Sequence, residues 1–279
     1  MIHVCRNLLR HSRERKKDVP KLATGQTLRS AERMLDVLKV FSTDEPALTV
    51  SEITGRLGLA PSTVRRILDA LESKGFVRLD TRTGKYSPFV EIVRLAAAAV
   101  QGNDLISGAS QPLDDLRDRT GENVQLTVLV ENDVVFVDRR VTNQTIKIFS
   151  PIGYRRPPWD GRASGQVLLA WLSGNQLEGI LPSPAQWRPG EVPGLASPKA
   201  FLALLAEVRE KGYAINDEFT ERDVWAVAAP IRDHTRQVIA AVSIPVLRSR
   251  VSDPKRVSEL VNAVMAAGRE ISHRLSYFE

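Results

Sequence analysis

The stretch from Thr49 to Tyr86 constrains this chain more than any other. Thr49-Val50-Ser51-Glu52 has the spacing of a capping box, with a hydroxyl for the backbone N–H three residues on and a carboxylate that reaches back. Ile53 and Leu57 then give a short helix one apolar face. Gly58 can take the left-handed conformation that ends a helix, and Pro61 suits the first position of the next, where its missing N–H costs nothing. Val64, Ile67, Leu68 and Leu71 fall at i, i+3, i+4 and i+7, the period of a buried helical stripe, and Lys74-Gly75 closes the run. The opposite face holds Ser62, Thr63, Arg65, Arg66 and Asp69. A run from Phe76 to Asp80, a Thr81-Arg82-Thr83-Gly84 turn and Lys85-Tyr86 predict a two-stranded ribbon, with Ser87-Pro88 expected to break its second strand.

Helix, tight turn, helix and ribbon in that order describe a winged helix-turn-helix. The second helix has the parts to enter a DNA major groove: Ser62 and Thr63 for phosphates, Arg65 and Arg66 for base edges. The first helix would cross the DNA backbone and brace it. Arg82 and Lys85, at the ribbon tip, would meet phosphate or minor groove. The competing reading is a helical hairpin with a solvated basic face.

Charge supports the first reading. The chain has 279 residues and a net charge of +6. Residues 1–100 hold 18 basic and 11 acidic side chains, whereas residues 101–279 hold 21 and 22. The positive excess therefore lies with the helix-turn-helix pattern, the footprint of a DNA-binding domain joined to a neutral sensing or assembly domain. Charge asymmetry that merely aids solubility is the alternative.

Cys5 is the only cysteine, so no intrachain disulfide or cysteine metal cluster can form, which suits a reducing cytoplasm. The four histidines, His3, His11, His234 and His273, show no ligand spacing. No apolar run approaches a membrane span, and the polar N-terminus lacks the apolar centre of a signal peptide. No cofactor, metal site, membrane association or catalytic residue is expected, and the location expected is cytoplasmic.

In chain order, residues 1–26 read as a flexible basic arm, and residues 27–88 as the winged domain. Ser30 is expected to cap a helix over 30–42, with Ala31, Met34, Leu35, Leu38 and Phe41 as its inward stripe. Leu48 and Val50 are placed to bridge to the wing. Residues 89–103 read as a linker helix and a Gln101-Gly102-Asn103-Asp104 hinge, the helix either pairing with a twin or covering the winged core. Residues 104–279 form a second domain for effector binding and oligomerisation. Its expected elements are a helix over 105–119, a Val124–Val137 hairpin turning at Glu131-Asn132-Asp133, and a third strand at Thr145–Phe149. An ordered loop at 151–158, a helix at Ala163–Trp171 and an irregular stretch from Gly174 through Pro182–Pro193 follow. A Ser197-Pro198 helix then ends at Gly212. Strands at Tyr213–Ile215, Trp225–Ile231 and Val238–Val246 precede a long helix capped by Asp253-Pro254. Strand blocks joined partly by hairpins and separated by helices indicate an α+β domain with a mainly antiparallel sheet.

Ser30-Ala31-Glu32-Arg33-Met34-Leu35-Asp36-Val37-Leu38, Pro61-Ser62-Thr63-Val64-Arg65-Arg66-Ile67-Leu68 and Ile152-Gly153 stand in order along the chain. Arg162-Ala163-Ser164-Gly165-Gln166-Val167-Leu168-Leu169-Ala170, Gly212-Tyr213-Ala214, Ala228-Ala229-Pro230-Ile231 and Ala240-Ala241-Val242-Ser243 follow. On these stretches, over roughly residues 25–275, the chain resembles IclR-type transcriptional regulators. The resemblance implies a winged helix-turn-helix followed by a GAF/PAS-like effector domain. It also implies DNA binding as dimers or dimers of dimers, tuned by a small organic ligand.

Carried over by position, the pocket residues are Ile148, Ala163, Ser164, Asn216, Ala226 and Ser243, and free N–H groups at the start of the Ala163 helix would suit a carboxylate. The chain departs from the family pattern here. Asp160 stands for the usual His with one residue inserted nearby, Gln166 for a Lys or Arg, Ala226 for a Cys, Asn216 for an acidic residue and Pro245 for a second Ser. With Trp159 and Trp225 alongside, the pocket is expected to be less polar and less charged than one for small keto acids. An aromatic acid or a sugar derivative is the ligand class expected.

The function these readings support is a sequence-specific regulator of a pseudo-palindromic operator in double-stranded DNA, modulated by a small metabolite. The alternatives are a ligand-independent dimeric regulator with a degenerate pocket, and a GAF-like hydrolase using Ser164 or Ser243. No His lies near either Ser in sequence, and no Gly-x-Ser-x-Gly elbow surrounds them.

Overall fold

The computed structural model describes residues 26–42, 45–101, 104–148, 150–183, 187 and 197–278. The basic arm at 1–26 lies outside these residues except for Gln26, as do Gly102, Asn103, Phe149 and most of Pro182–Pro193. The chain divides into two compact units, Met1–Phe89 and Val90–Glu279.

The first unit contains α1 (Gln26–Lys39), α2 (Val50–Leu57), α3 (Pro61–Ser73), β1 (Val77–Asp80) and β2 (Lys85–Pro88). The capping box forms as its spacing predicts, with Glu52 N–H donating to the Thr49 hydroxyl and Glu52 accepting from Thr49 N–H at 2.7 Å. Gly58 ends α2 at φ +63°, and Pro61 opens α3. The buried core joins Val37, Leu48, Ile53, Val64, Ile67, Leu68, Leu71, Val77 and Tyr86.

Four expectations need correction here. Gln26 is already helical, so Ser30 lies inside α1 rather than capping it, and the helix stops at Lys39. Its inward stripe is Met34, Val37 and Leu38, with Leu35 turned outward and 56% exposed. Ser87 and Pro88 do not break β2. Pro88 pairs with Val77, and a two-stranded ribbon has no third strand to require its missing N–H. Leu48 does bridge Tyr86, through bonds of 2.9 and 2.8 Å, whereas Val50 belongs to α2.

The second unit contains α4 (Val90–Gln101), α5 (Asp104–Thr120), β3 (Val124–Val130), β4 (Asp133–Arg140) and β5 (Arg155–Arg156). It continues with α6 (Ala163–Ala170), α7 (Gly174–Glu178), α8 (Pro198–Lys211), β6 (Ala214–Asp217), β7 (Val224–Arg232), β8 (Val238–Leu247) and α9 (Pro254–Arg274). Six strands form one antiparallel sheet in the order β5-β4-β3-β8-β7-β6. Period-two alternation sorts its side chains. Leu126, Trp225, Val227, Ile231, Val242 and Ile244 pack on one face with α5 and α9. The other face carries small residues, Ala226, Ala228, Ala241 and Ser243, beneath α6 and α8.

The strand expected at Thr145–Phe149 is absent from its described residues. Side chains satisfy that segment instead. Asn123 donates to Ile148 O at 2.6 Å and accepts from Thr142 N–H, and Arg250 donates to Ile146 O. The edge strand is β5, inside the expected loop. Gly174–Glu178 is helical, opened by a Ser173–Gln176 capping box that the sequence reading passed over.

Candidate functional site

The first unit presents the expected basic surface. Burying Val64, Ile67, Leu68 and Leu71 turns Ser62, Arg65 and Arg66 to solvent, with Thr63 half-buried. Ala60 provides no side-chain cap, Pro61 has no N–H and Thr63 N–H donates to Ala60 O at 2.9 Å, so the Ser62 N–H is the first-turn donor left for an outside acceptor. Glu72 accepts from Leu79 N–H at 3.0 Å and ties α3 to the ribbon. At the ribbon tip, Asp80 accepts from Arg82 N–H at 2.9 Å, and this backbone bond is the main cause of its lowered pKa. Arg82 is exposed and Lys85 half-buried.

The second unit holds a cavity of about 50 Å³ between the small-residue face of the sheet, α6 and two loops. All six residues named from the resemblance line it: Ile148, Ala163, Ser164, Asn216, Ala226 and Ser243. Asn216 is already engaged, donating to the Thr220 hydroxyl at 3.1 Å and accepting from Phe219 N–H at 2.8 Å. No described residue hydrogen-bonds the Ser243 hydroxyl, which is 4% exposed.

The cavity carries charge: Arg156, Arg162 and Glu221 line it beside Gln125 and Thr220. Arg156 is buried, pairs with Asp160 and donates to the Ser164 hydroxyl at 3.2 Å. Its guanidinium sits 5.3 Å from the Phe136 ring centroid, and its Nε has no partner among the described residues. Burial pulls its pKa down, opposed chiefly by Asp160. Arg162 closes one wall by pairing with Glu221. The Arg155-Arg156 pair was the available signal, but nothing in a loop-like segment marks one arginine as inward. Neither Trp159 nor Trp225 lines the cavity. Trp225 packs in the core on the opposite sheet face, and Trp159 stacks on Trp187 at 6.2 Å.

Gly165 explains how the loop before α6 sits so close. A Cβ there would lie 2.2 Å from Pro158 O, so only glycine admits this approach. Arg162, at the N-cap of α6, offers no side-chain acceptor, leaving first-turn N–H groups beside Ser164 available to an anion. Among the described residues no cluster could hold a metal ion, and no helix is long and apolar enough to cross a membrane.

A helix-turn-helix with a wing, followed by a second α+β domain around a small polar cavity, defines a two-domain transcriptional regulator. Family descriptions agree: "IclR helix-turn-helix domain" matches residues 30–81, and "Bacterial transcriptional regulator IclR C-terminal" matches residues 97–273. The chain is 32% identical over 253 residues to the HTH-type transcriptional regulator XynR of Escherichia coli K12, covering 90% of this chain and 98% of that protein. An IclR transcriptional regulator from Alicyclobacillus acidocaldarius superposes with a TM-score of 0.78 at 25% identity, covering 90% and 99% of the two chains. An IclR homologue from Microbacterium hydrocarbonoxydans, crystallised in complex with 4-hydroxybenzoate, gives 0.77 at 26% identity over 88% and 99%. The chain belongs to the IclR family of DNA-binding transcriptional regulators.

Proposed function

We propose that this regulator releases or engages its operator in response to a hydroxylated carboxylic acid bound in the cavity around Ser164. The observation that carries this is the buried Arg156, held against the Ser164 hydroxyl with one N–H donor unused. A ligand carboxylate would pair with Arg156 and the first-turn N–H groups of α6. Ser243 and Gln125 would meet its hydroxyls, and Phe136, Ile148 and Ala226 its carbon frame. Aromatic acids and sugar acids share this chemistry, and the 4-hydroxybenzoate complex of a relative supports it. The closed cavity is far below the roughly 300–1,000 Å³ of occupied ligand sites, so binding must part Arg162 from Glu221.

In the first unit, Arg65 and Arg66 read or flank base edges, Ser62 and Thr63 seat α3 on phosphates, and Arg82 and Lys85 hold the backbone. The working boundaries are a winged domain at 27–88, a linker at 89–103 and an effector and assembly domain at 104–279. Val90, Val93 and Leu95 are exposed on α4, which supports pairing with a second copy. A two-fold dimer would present its recognition helices about 34 Å apart to a pseudo-palindrome.

The test is a mobility-shift titration of the full chain on DNA upstream of its own gene. Saturable binding that shifts with 4-hydroxybenzoate or an aldonic acid, and that loses the shift in Arg156→Lys, supports the reading. Operator binding indifferent to every such acid would leave the ligand-independent regulator instead. Turnover of ester substrates would favour the hydrolase.

A further inference from the structure

A second, larger cleft of about 560 Å³ opens in the same unit, where the C-terminal half of β7 meets the second half of α9. Its floor is fixed. A Cβ on Gly268 would lie 2.8 Å from Pro230 O, so helix and strand are in direct contact there. The Ser272 hydroxyl locks the same junction, accepting from Arg232 N–H at 2.9 Å and donating to Gly268 O at 2.6 Å.

Basic side chains line the walls. Arg269 and His273, at i and i+4, share one face of α9. Arg209, from the last turn of α8, donates to Ala170 O at 2.8 Å. The Arg232 guanidinium lies 4.7 Å from the ring centroid of Trp171. Among the described residues, no carboxylate lines the cleft and none pairs with Arg209, Arg232 or Arg269. Elsewhere in this unit Arg140, Arg156, Arg250 and Arg274 each hold an acidic partner. Aromatic faces complete the walls: Trp171, Tyr277 and Phe278, the last edge-on to His273 at 5.0 Å.

Three guanidinium groups around an empty space repel one another, and an anion between them relieves that repulsion. Flat π-faces beside them favour a planar body over a bare ion. The volume falls within the range of small-molecule sites. We propose that this cleft binds a small aromatic anion, at a site separate from the cavity around Ser164. The carboxylate would sit between Arg209 and Arg269, with its ring against Trp171 and Tyr277.

The test is calorimetric titration of 1-naphthoate into the full chain, its Arg209→Glu/Arg269→Glu variant and a Ser164→Trp variant that fills the other cavity. Both arginines are exposed, so the double variant should keep its unfolding temperature. The expected result is a saturable component that survives in Ser164→Trp, weakens at least tenfold in the double variant, and resists equimolar inorganic phosphate. Ser164→Val replaces the tryptophan variant if the larger side chain prevents folding. Undiminished affinity in the double variant overturns the proposal. So does a component lost only on filling the Ser164 cavity. Displacement by phosphate would reduce the cleft to a plain anion patch. An oligomer that falls apart in the double variant, with no naphthoate heat in the parent chain, would assign the surface to a second copy.

Discussion

Arg156 Nη2 donates to Ser164 Oγ across 3.2 Å, joining a two-residue edge strand to the first turn of α6. One buried guanidinium thus fixes the loop between them and faces the cavity. Truncating it should leave the Asp160 carboxylate only the Arg162 backbone N–H at 3.1 Å and the Arg162 guanidinium at 3.7 Å. Arg156→Ala is expected to lower unfolding stability by about 3 kcal/mol, towards the lower end for a broken buried pair because Asp160 keeps some solvent contact. Urea denaturation measures this, and a loss under about 1 kcal/mol would show the pair to be idle.

On the DNA side, the two kinds of contact separate by their signatures. Arg66→Ala should cost about 1–3 kcal/mol on the operator and little on unrelated sequence. Lys85→Ala should weaken both alike and lower the salt-dependence slope by about one. Mobility-shift titrations at several salt concentrations distinguish them. A sequence-dependent loss at Lys85 would contradict its assignment to backbone.

Gly165→Ala is expected to destabilise the second unit by about 1–3 kcal/mol, because the new methyl would meet Pro158 O and force the backbone apart. A thermal melt with an unchanged midpoint would show that the loop can retreat freely.

The capping box of α2 gives a pH signature. The backbone N–H of Thr49, and then its hydroxyl, hold the Glu52 carboxyl below its ordinary 4.5. A depressed carboxylate adds stability above its unfolded-state pKa and loses it as pH falls through the folded value. The melting-temperature advantage of the parent chain over Glu52→Gln should therefore hold from pH 7 to about 5 and shrink as pH falls below the ordinary 4.5 through the lowered folded value. An advantage that does not shrink on acidification would refute the charge-based account.

Local signals carried most of the first unit. A hydroxyl three residues before a Glu, a Gly and a Pro in sequence, and a stripe at i, i+3, i+4, i+7 each specify a backbone state without outside help. α1 was harder, because Met34, Leu35, Val37 and Leu38 are all apolar and two stripes fit equally well. Only the packing of Val37 into the core selects one. Val37→Ala should accordingly cost about 2 kcal/mol, and Leu35→Ala under about 0.5. Melts of the two variants check the register directly. In the second unit, the six residues taken from the resemblance do converge on one cavity. Its charge was illegible. Arg156 faces inward because β5 sets it opposite Val134, whose side chain packs on the α6 side of the sheet, while the side chains of Asn123 and Arg250 hold the expected strand segment as a loop. Such long-range hydrogen bonds leave no periodicity to read.

The alternation along β7 and β8 has an evolutionary consequence. On these strands, every second residue serves as girder and every intervening one as template. Ala226 and Ser243 can change size or polarity while Val227 and Ile244 hold the architecture rigid. With the cavity in its proposed role, a lineage of such proteins would exchange one metabolite for another in single steps that leave the scaffold intact.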